Sequence, residues 1–175
     1  MGVPACLLQS PEAEVAVTAG PTVVPGGYGV INANFTYHRD PAGFRLQVPI
    51  GWRMSRIGSL VCFRDANALK AVSVDVQGRR DGDPADLLGR AEGQWVGAAG
   101  LAGYTRIALV PTLAAQGSAD LEYTYRRDGV VMHGENRMLR MGEEIYMVSG
   151  LTTDLFWLTD RDFLDLIQVS FGLIE

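Results

Sequence analysis

The feature that most constrains the fold is residues 35–52, FTYHRDPAGFRLQVPIGW, in which two short strand patterns flank a turn. Strand side chains point alternately to two faces, so Phe35 and Tyr37 lie on one face of the first strand. The turn has the sequence Asp-Pro-Ala-Gly at 40–43, where proline presets φ and glycine accepts a positive φ. The second strand carries its apolar face at Phe44, Leu46 and Val48. This pattern predicts the start of an antiparallel sheet domain.

Further strand patterns follow, and tight turns join several of them. They lie at 53–57, 60–64, 70–77, 104–113, 120–127, 130–140 and 145–151. Gly58-Ser59 and Asp128-Gly129 are short hairpin signals, and the second pair is typical of a type I′ turn. Pro111 interrupts its strand pattern, which indicates an edge strand or a bulge because proline cannot donate to a neighbouring strand.

Two amphipathic helices are predicted among these strands. The first has Asp83 as N-cap and Pro84 at its first helical position, and it ends before Gly100. The second has Thr159 as N-cap and Asp162 as its capping-box partner. The stripe of the first helix consists of Leu87, Leu88, Ala91, Trp95 and Ala98. Hairpin-connected strands and two one-sided helices predict a single α+β domain, an antiparallel sheet covered by both helices.

Residues 1–34 differ in composition from the rest of the chain. They contain two acidic residues and no basic residue. Their turn formers are Pro21, Pro25, Gly26, Gly27 and Gly29. This weakly periodic composition predicts a flexible tail or tether with room for one docked strand. We therefore expect residues 1–34 to be a tail and residues 35–175 to be the globular domain.

The charge distribution argues against a nucleic-acid partner. The net charge is −5, the fifteen basic residues are dispersed, and Lys70 is the single lysine. A nucleic-acid site would require a basic face, which the sequence does not show.

No apolar run approaches the ~18 residues that a membrane-spanning helix needs, and the first ten residues lack the basic residue of a secretory signal. We therefore predict no integral membrane segment.

The two cysteines, Cys6 and Cys62, match no metal-binding or redox motif. Cys62 lies in an apolar strand pattern, where a free cysteine behaves as a small buried hydrophobic residue. Both are predicted to be reduced and inert. Two alternatives stay open for Cys6: lipid attachment at the lipobox-like residues 3–6, and a disulfide with Cys62 in an oxidising compartment.

No motif for catalysis, metal binding or cofactor binding is recognisable. His38 and His133 each lack a second ligand at metal-binding spacing, so each is predicted to be solvated or to make one hydrogen bond. The serines lie outside any Gly-x-Ser-x-Gly context, and the glycine-rich stretches match neither a P-loop nor a dinucleotide fingerprint. We therefore predict no catalytic residue, no metal and no cofactor.

The candidate binding residues are two tryptophans and two arginines. Trp95 lies on the predicted helix stripe and Trp157 precedes the second helix, and core positions suit both because large aromatic side chains dominate burial. A tryptophan that borders an open groove with Arg126 or Arg127 would contact a peptide or ligand instead. Trp95, Trp157, Arg126 and Arg127 are thus the predicted binding residues.

Turns and apolar positions spread along the chain carry a family resemblance. They are Phe35-x-Tyr37, Asp40-Pro41-x-Gly43-Phe44, Val48-Pro49-x-Gly51-Trp52, Val61-x-Phe63-x-Asp65, Asp120-x-Glu122-Tyr123-x-Tyr125 and Ser170-Phe171. Together they resemble the PsbP-like fold family over residues 35–171, and most of all its small actinobacterial members outside the cytoplasm. Those members are free, lipid-anchored or appended to membrane kinases. The resemblance implies an α/β/α sandwich.

The resemblance further implies a non-catalytic binding, sensor or adaptor domain that acts through protein–protein contacts. Two alternatives stay open. One is a small-molecule-binding protein or enzyme with a pocket between sheet and helix, around Trp95 or Trp157. The other is a chaperone or adaptor that cradles an apolar partner segment. The resemblance implies an extracytoplasmic location, whereas a native start at Met1 would imply the cytoplasm. A protein partner is expected, and the sequence identifies neither that partner, nor a small-molecule ligand, nor the oligomeric state.

Overall fold

The structure, a computed structural model, describes residues 2–8, 14–24, 26, 29–112 and 117–174. Its strands are β1 (Val15–Ala16), β2 (Phe35–Arg39), β3 (Phe44–Pro49), β4 (Arg53–Ile57), β5 (Leu60–Arg64), β6 (Ala71–Arg79), β7 (Thr105–Thr112), β8 (Ser118–Arg127), β9 (Val130–Met141), β10 (Glu144–Thr153) and β11 (Gly172–Leu173). Its α-helices are α1 (Pro84–Ala99) and α2 (Trp157–Val169), and 3-10 helices cover Val3–Leu8 and Asp154–Phe156. The predicted single α+β domain is confirmed.

The strands form two antiparallel sheets. The large sheet has the order β1-β4-β5-β6-β10-β9-β8-β7, and the small sheet has the order β11-β3-β2. β7 is an edge strand of the large sheet, and its register with β8 shifts between Arg106 and Ala108. Pro111 therefore lies on an edge strand with a bulge, as the sequence predicts.

Each face of the large sheet carries its own apolar core. On one face, the 3-10 helix Val3–Leu8 and α1 pack against the sheet, with Trp95 and Tyr123 in the core between them. On the other face, α2 and the small sheet pack against it, with Phe44 and Leu164 in the core. The molecule is thus a layered α/β/α sandwich, which is what the family resemblance implies.

The boundaries of α1 follow from its capping residues. The Asp83 side chain accepts a hydrogen bond from the backbone N–H of Ala85 at 2.8 Å, and Pro84 is the first helical residue. Gly100 ends the helix with φ of 57°, in the left-handed region that favours glycine. Trp95 and Leu88 are buried against the large sheet. The predicted capping of this helix is confirmed.

The predicted N-cap of α2 at Thr159 is wrong, because the N-cap is Phe156, three residues earlier, and Trp157 is the first helical residue rather than preceding the helix. The 3-10 helix Asp154–Phe156 runs directly into it. Asp160, in the first turn of α2, is buried, where it accepts from Thr152 Oγ1 at 2.7 Å and pairs with Lys70 Nζ at 3.0 Å. Tertiary contacts, rather than a side-chain cap, therefore determine where α2 begins.

The hairpin between β8 and β9 has the predicted turn. Asp128 and Gly129 have φ of 49° and 79°, the two positive values that a type I′ turn requires. Farther along β9, a Cβ atom on Gly134 would lie 2.6 Å from the ring of Tyr123. Glycine at this position therefore gives the buried Tyr123 ring the room that it occupies.

The described residues among 1–34 are not a flexible tail throughout. The side chains of Val3, Cys6 and Leu7 are buried in the same core as α1. Arg127 Nη2 donates to the backbone oxygen of Leu7 at 3.0 Å. β1 pairs with β4, and this is the docked strand for which the prediction left room. Val3, Cys6 and Leu7 are thus anchored in the core, whereas Leu8 is 74% exposed, and the extent of the tail stays a prediction.

Some of the predicted tail is not described. Pro25 and Gly27, two of its turn formers, lie outside the described residues. The domain boundary between residues 34 and 35 stays a prediction.

A disulfide bond joins Cys6 to Cys62, with the two Cα atoms 5.4 Å apart. Cys62 lies in β5, and the 3-10 helix that carries Cys6 packs against β5 and β6. The prediction of two reduced cysteines is therefore wrong. The pairing depends on where the helix packs, which the sequence spacing of two cysteines does not reveal. A disulfide of this kind persists in an oxidising compartment.

The Asp40 carboxylate, at the turn between β2 and β3, is fully buried. It accepts from Arg56 Nη2 at 2.6 Å and contacts His38 Nε2 at 2.9 Å. The backbone N–H of Ala42 also donates to it at 2.9 Å. Burial by itself would raise the pKa of Asp40, but these hydrogen bonds and the Arg56 charge hold that pKa below its usual value. The turn therefore stabilises the ionised form of Asp40.

Asp40→Asn is expected to lower the free energy of unfolding by about 2 kcal/mol at neutral pH, because it weakens hydrogen bonds to charged groups. The pKa of Asp40 is depressed in the folded state, so its contribution is complete above the usual aspartate range and is lost as the pH falls through the depressed value. Urea unfolding at about pH 7 and about pH 3 measures both effects, since aspartate titrates between them. The variant should lose less stability on acidification than the wild type.

Asp128→Asn is the matched control, because the Asp128 side chain is 92% exposed. This change should lower the free energy of unfolding by less than about 0.5 kcal/mol. If Asp40→Asn and the wild type lose equal free energy of unfolding on acidification, the depressed pKa of Asp40 is not what stabilises the fold.

No helix among the described residues is both long and apolar enough to cross a membrane.

Candidate functional site

A ridge of apolar side chains along α2 and the 3-10 turn before it is the candidate functional surface. Leu155 and Leu158 are 85% and 84% exposed, and Leu166 and Val169 are also exposed. Leu155 and Leu158 are three positions apart, as are Leu166 and Val169, and residues at this spacing share a helix face. The eight positions between Leu158 and Leu166 are close to two helical turns, so the two pairs lie on the same side. We refer to Leu155, Leu158, Leu166 and Val169 as the α2 ridge.

His133 holds the amino-terminal end of this ridge against the large sheet. Its Nδ1 lies 2.7 Å from Asp154 Oδ1, in the turn that carries Leu155, and its Nε2 lies 2.7 Å from Glu122 Oε1 on β8. The His133 ring stacks on Trp157, with ring centres 3.8 Å apart and planes 5° from parallel. The first turn of α2 is thus fixed by two polar contacts and one ring contact.

The prediction of a solvated or singly bonded His133 is wrong. Only 6% of the residue is exposed, and both ring nitrogens contact carboxylates. The burial of His133 comes from tertiary packing. His133 lies on the face of β9 that α2 covers, and it contacts Asp154, which follows β10 in the chain.

Arg137 joins the same sheet face to the middle of α2. Its guanidinium donates to the two carboxylate oxygens of Asp120 at 2.8 and 3.1 Å. It also lies 3.5 Å from Glu135 and 3.6 Å from Asp165 on α2. Burial, with the Asp120 charge, raises the pKa of the Glu135 carboxyl. One guanidinium is thus shared among three acids, which ties the helix to the sheet beneath the ridge.

The four predicted binding residues lie at separate places. Trp95 is buried between α1 and the large sheet, with its ring edge-on to Tyr104 and Tyr123. Trp157 is buried under the start of α2. Both tryptophans are thus core residues, which the sequence also favours.

The two arginines occupy opposite sides of their strand. Arg127 donates to the backbone oxygens of Leu7 and Ala68, at 3.0 and 3.3 Å. Arg126 is exposed, and its side chain lies against Gly103. The structure does not bring the four residues into one groove, and a binding role for them stays a prediction.

The ridge and the His133 contacts escaped the sequence analysis. The available signal was the run Leu155-Phe156-Trp157-Leu158, which has more large apolar side chains than one buried helix face can take. Trp157 turns inward while Leu155 and Leu158 stay exposed. A core position for Trp157 accounts for only one of these four side chains.

Comparison with known proteins gives a family and a fold. The family described as serine/threonine kinase C-terminal domain matches residues 36–172. No curated protein matches the sequence.

A solved structure, that of a cyanobacterial PsbP, supports the PsbP-like fold. The solution structure of cyanobacterial PsbP (CyanoP) from Synechocystis sp. PCC 6803 is 20% identical, with a TM-score of 0.67, and the match covers 88% of this chain and 99% of that one. LpqN of Mycobacterium tuberculosis, involved in cell envelope biogenesis, is 14% identical with a TM-score of 0.42, over 93% and 91% of the two chains. The protein therefore has the PsbP-like fold, and it belongs to the serine/threonine kinase C-terminal domain family.

Proposed function

We propose that this domain is a non-catalytic binding module that holds a protein partner at the α2 ridge. The observation that supports this most is the exposure of Leu155, Leu158, Leu166 and Val169 on one helix face. Single exposed leucines are ordinary, but several exposed apolar side chains on one helix face, here in two pairs on either side of Asp162, are typical of an interaction site. Membership of a kinase C-terminal domain family supports a sensor or adaptor role for such a module.

The charges beside the ridge favour a partner with basic residues. Asp154 and Asp165 lie near it with half-exposed side chains, and Asp162 lies between Leu158 and Leu166 on the helix face. Arg161 is the single basic residue of α2. Complementary charge guides docking and determines orientation. The proposed partner therefore presents apolar side chains bordered by lysine or arginine.

The shape of the ridge favours this proposal over the two alternatives. A cradle for an apolar segment needs a concave groove, whereas the outer face of a helix is convex. A pocket at Trp95 or Trp157 would need an accessible ring, and each tryptophan is only 6% exposed. An outward helix face suits contact with the groove or surface of another protein.

The Cys6–Cys62 disulfide supports placing this function outside the cytoplasm. In this proposal the domain meets its partner in an oxidising compartment.

The test uses a designed amphipathic peptide with leucine on one face and lysine on the other, as a probe of partner chemistry. Its binding to the domain is measured by fluorescence anisotropy. Leu158→Ser should weaken binding about tenfold or more, because burying one leucine contributes roughly 1.5–3 kcal/mol. Leu155→Ser should act similarly, and neither change should alter the melting temperature, since both side chains are exposed.

Ile107→Ser is the matched control, because Ile107 is an exposed apolar residue on β7, away from α2. Equal loss of binding in Ile107→Ser and Leu158→Ser would reject the ridge as the site. A peptide with glutamate in place of lysine should bind more weakly. Self-association that Leu158→Ser abolishes would mean that a second copy covers the ridge, and this would overturn the proposal.

A further inference from the structure

A second surface, unrelated to the α2 ridge, collects arginines around the loop between β6 and α1. Two open clefts of about 440 and 380 Å³ meet there, and both are lined by Arg80 and Asp81. Arg79, Arg140 and Glu143 line the first cleft, and Arg90 lines the second. Four arginines thus accompany two acids, in a chain whose net charge is −5. We call this surface the arginine cleft.

Two of the guanidinium groups converge on Gly82. Arg140 Nη2 donates to the backbone oxygens of Gly82 and Arg80, at 2.6 and 3.0 Å. Arg90 Nη2 approaches from α1, 3.3 Å from where a Cβ atom on Gly82 would lie. Gly82 has φ of 118°, which a side chain rarely accepts, so the loop keeps this close approach open. The loop therefore holds two positive charges near one another.

These positive charges are incompletely neutralised within the described part of the chain. Glu143 pairs with Arg79 at 2.8 Å. No carboxylate of the described residues lies within 4.0 Å of the guanidinium nitrogens of Arg80, Arg90 or Arg140. Asp81 lines both clefts without forming such a pair, and the Asp83 side chain caps α1. Like charges held together in this way would be stabilised by an anion between them.

We propose that the arginine cleft is a binding site for a phosphate group. Guanidinium groups bind phosphate oxygens through charge-assisted, often bidentate hydrogen bonds. Arg80 lines both clefts, with Arg140 of β9 beside it in the first and Arg90 of α1 beside it in the second. Arginines that reach one cleft from different elements suit a tetrahedral anion, whose oxygens point in several directions. A single carboxylate is planar and matches one guanidinium fork. The phosphate group belongs to a soluble phosphate compound or to a phospholipid headgroup, and the experiment below separates these sources.

The test for a soluble source is an NMR titration of the isotope-labelled full chain with inorganic phosphate and with pyrophosphate. Chloride at matched ionic strength is the reference. Saturable shifts at the amides of Arg80 and Gly82 support the site. Arg90→Gln should weaken binding about tenfold, since it removes a charge-assisted contact. Arg161→Gln is the matched control, because Arg161 is an exposed arginine on α2 that does not line the arginine cleft. This variant should bind phosphate like the wild type.

The test for a lipid source is co-sedimentation with phosphatidylcholine vesicles that contain phosphatidylglycerol. Sedimentation that Arg90→Gln abolishes and Arg161→Gln retains supports the site with a phospholipid headgroup as its ligand. Thermal melts check that Arg90→Gln is folded, and Arg80→Gln serves as a second variant. Absence of binding in both tests would overturn the proposal, as would binding that Arg90→Gln and Arg80→Gln leave unchanged. A response to citrate equal to that to phosphate would also overturn it.

Discussion

Replacing both Cys6 and Cys62 by alanine is expected to lower the free energy of unfolding by about 4 kcal/mol. The bond closes a long loop, because the two cysteines are 56 positions apart. Cross-linking reduces the conformational entropy of the unfolded chain, and this effect grows with loop length. In a domain of this size the loss corresponds to a fall of about 8–16 °C in melting temperature. Calorimetry and urea unfolding measure both quantities.

Reduction of the wild-type protein is the direct control for this result. A reductant should destabilise the wild type and leave the double-alanine variant unchanged, since the variant has no bond to break. Equal responses of the two proteins, or a loss below about 1 kcal/mol, would contradict the structural role of the bond.

A variant that lacks residues 1–8 extends the same test to the amino-terminal 3-10 helix. It loses the disulfide and also the buried side chains of Val3 and Leu7. Each such side chain contributes roughly 1.5–3 kcal/mol when buried. The truncated chain should therefore be less stable than the double-alanine variant. If the two are equally stable, residues 3–8 depend on the disulfide for their position and add little to the core.

Most of the fold follows from short-range signals in the sequence. Asp128-Gly129 specifies a hairpin through the positive φ of both residues, and Asp83-Pro84 specifies a helix start. These signals involve neighbouring residues, so no knowledge of the tertiary structure is needed to interpret them. The antiparallel pairs β4–β5, β8–β9 and β9–β10 then follow, because short hairpins join them, whereas the central β6–β10 pair joins strands far apart in the chain.

The features that the sequence did not reveal all depend on residues far apart in the chain. Cys6 meets Cys62 only because Val3–Leu8 packs on the central strands. His133 meets Asp154 only after β10 has crossed the sheet. Thr159 has the chemistry of an N-cap, but the contacts of Trp157 and Asp160 move the start of α2. In each case tertiary packing overrides or adds to the local signal.

The two proposed sites differ in how far the sequence could have located them. The apolar surplus of residues 155–158 is visible in the sequence, and only its exposure needs the structure. The arginine cleft has no local signal, since Arg80, Arg90 and Arg140 come from a loop, a helix and a strand. The dispersal of arginines along the sequence argues against a basic surface. The fold nevertheless concentrates four of them around two adjoining clefts.

Trp157→Ala is the second change from which we expect a large effect. It should lower the free energy of unfolding by about 3–5 kcal/mol. Trp157 is 6% exposed, packs in the core between α2 and the large sheet, and stacks on His133. Its removal leaves a cavity and frees the turn that His133 holds through Asp154. Leu158→Ala is the matched control, because Leu158, next to Trp157 in the chain, is 84% exposed. This change should lower the free energy of unfolding by less than about 0.5 kcal/mol.

Two further measurements separate the ring contact from simple loss of volume. Trp157→Phe should retain part of the stability, since a smaller ring can still stack on His133. The NMR signals of the His133 ring should move when the indole ring is removed, because they lie in its ring current at 3.8 Å. Trp157→Ala should also weaken binding of the leucine–lysine peptide, because Leu155 loses its fixed position. Leu158→Ala should weaken the same binding but leave the free energy of unfolding nearly unchanged. If Trp157→Ala and Leu158→Ala destabilise the protein equally, the inward orientation of Trp157 is wrong, and the ridge would need to be redefined around the indole ring.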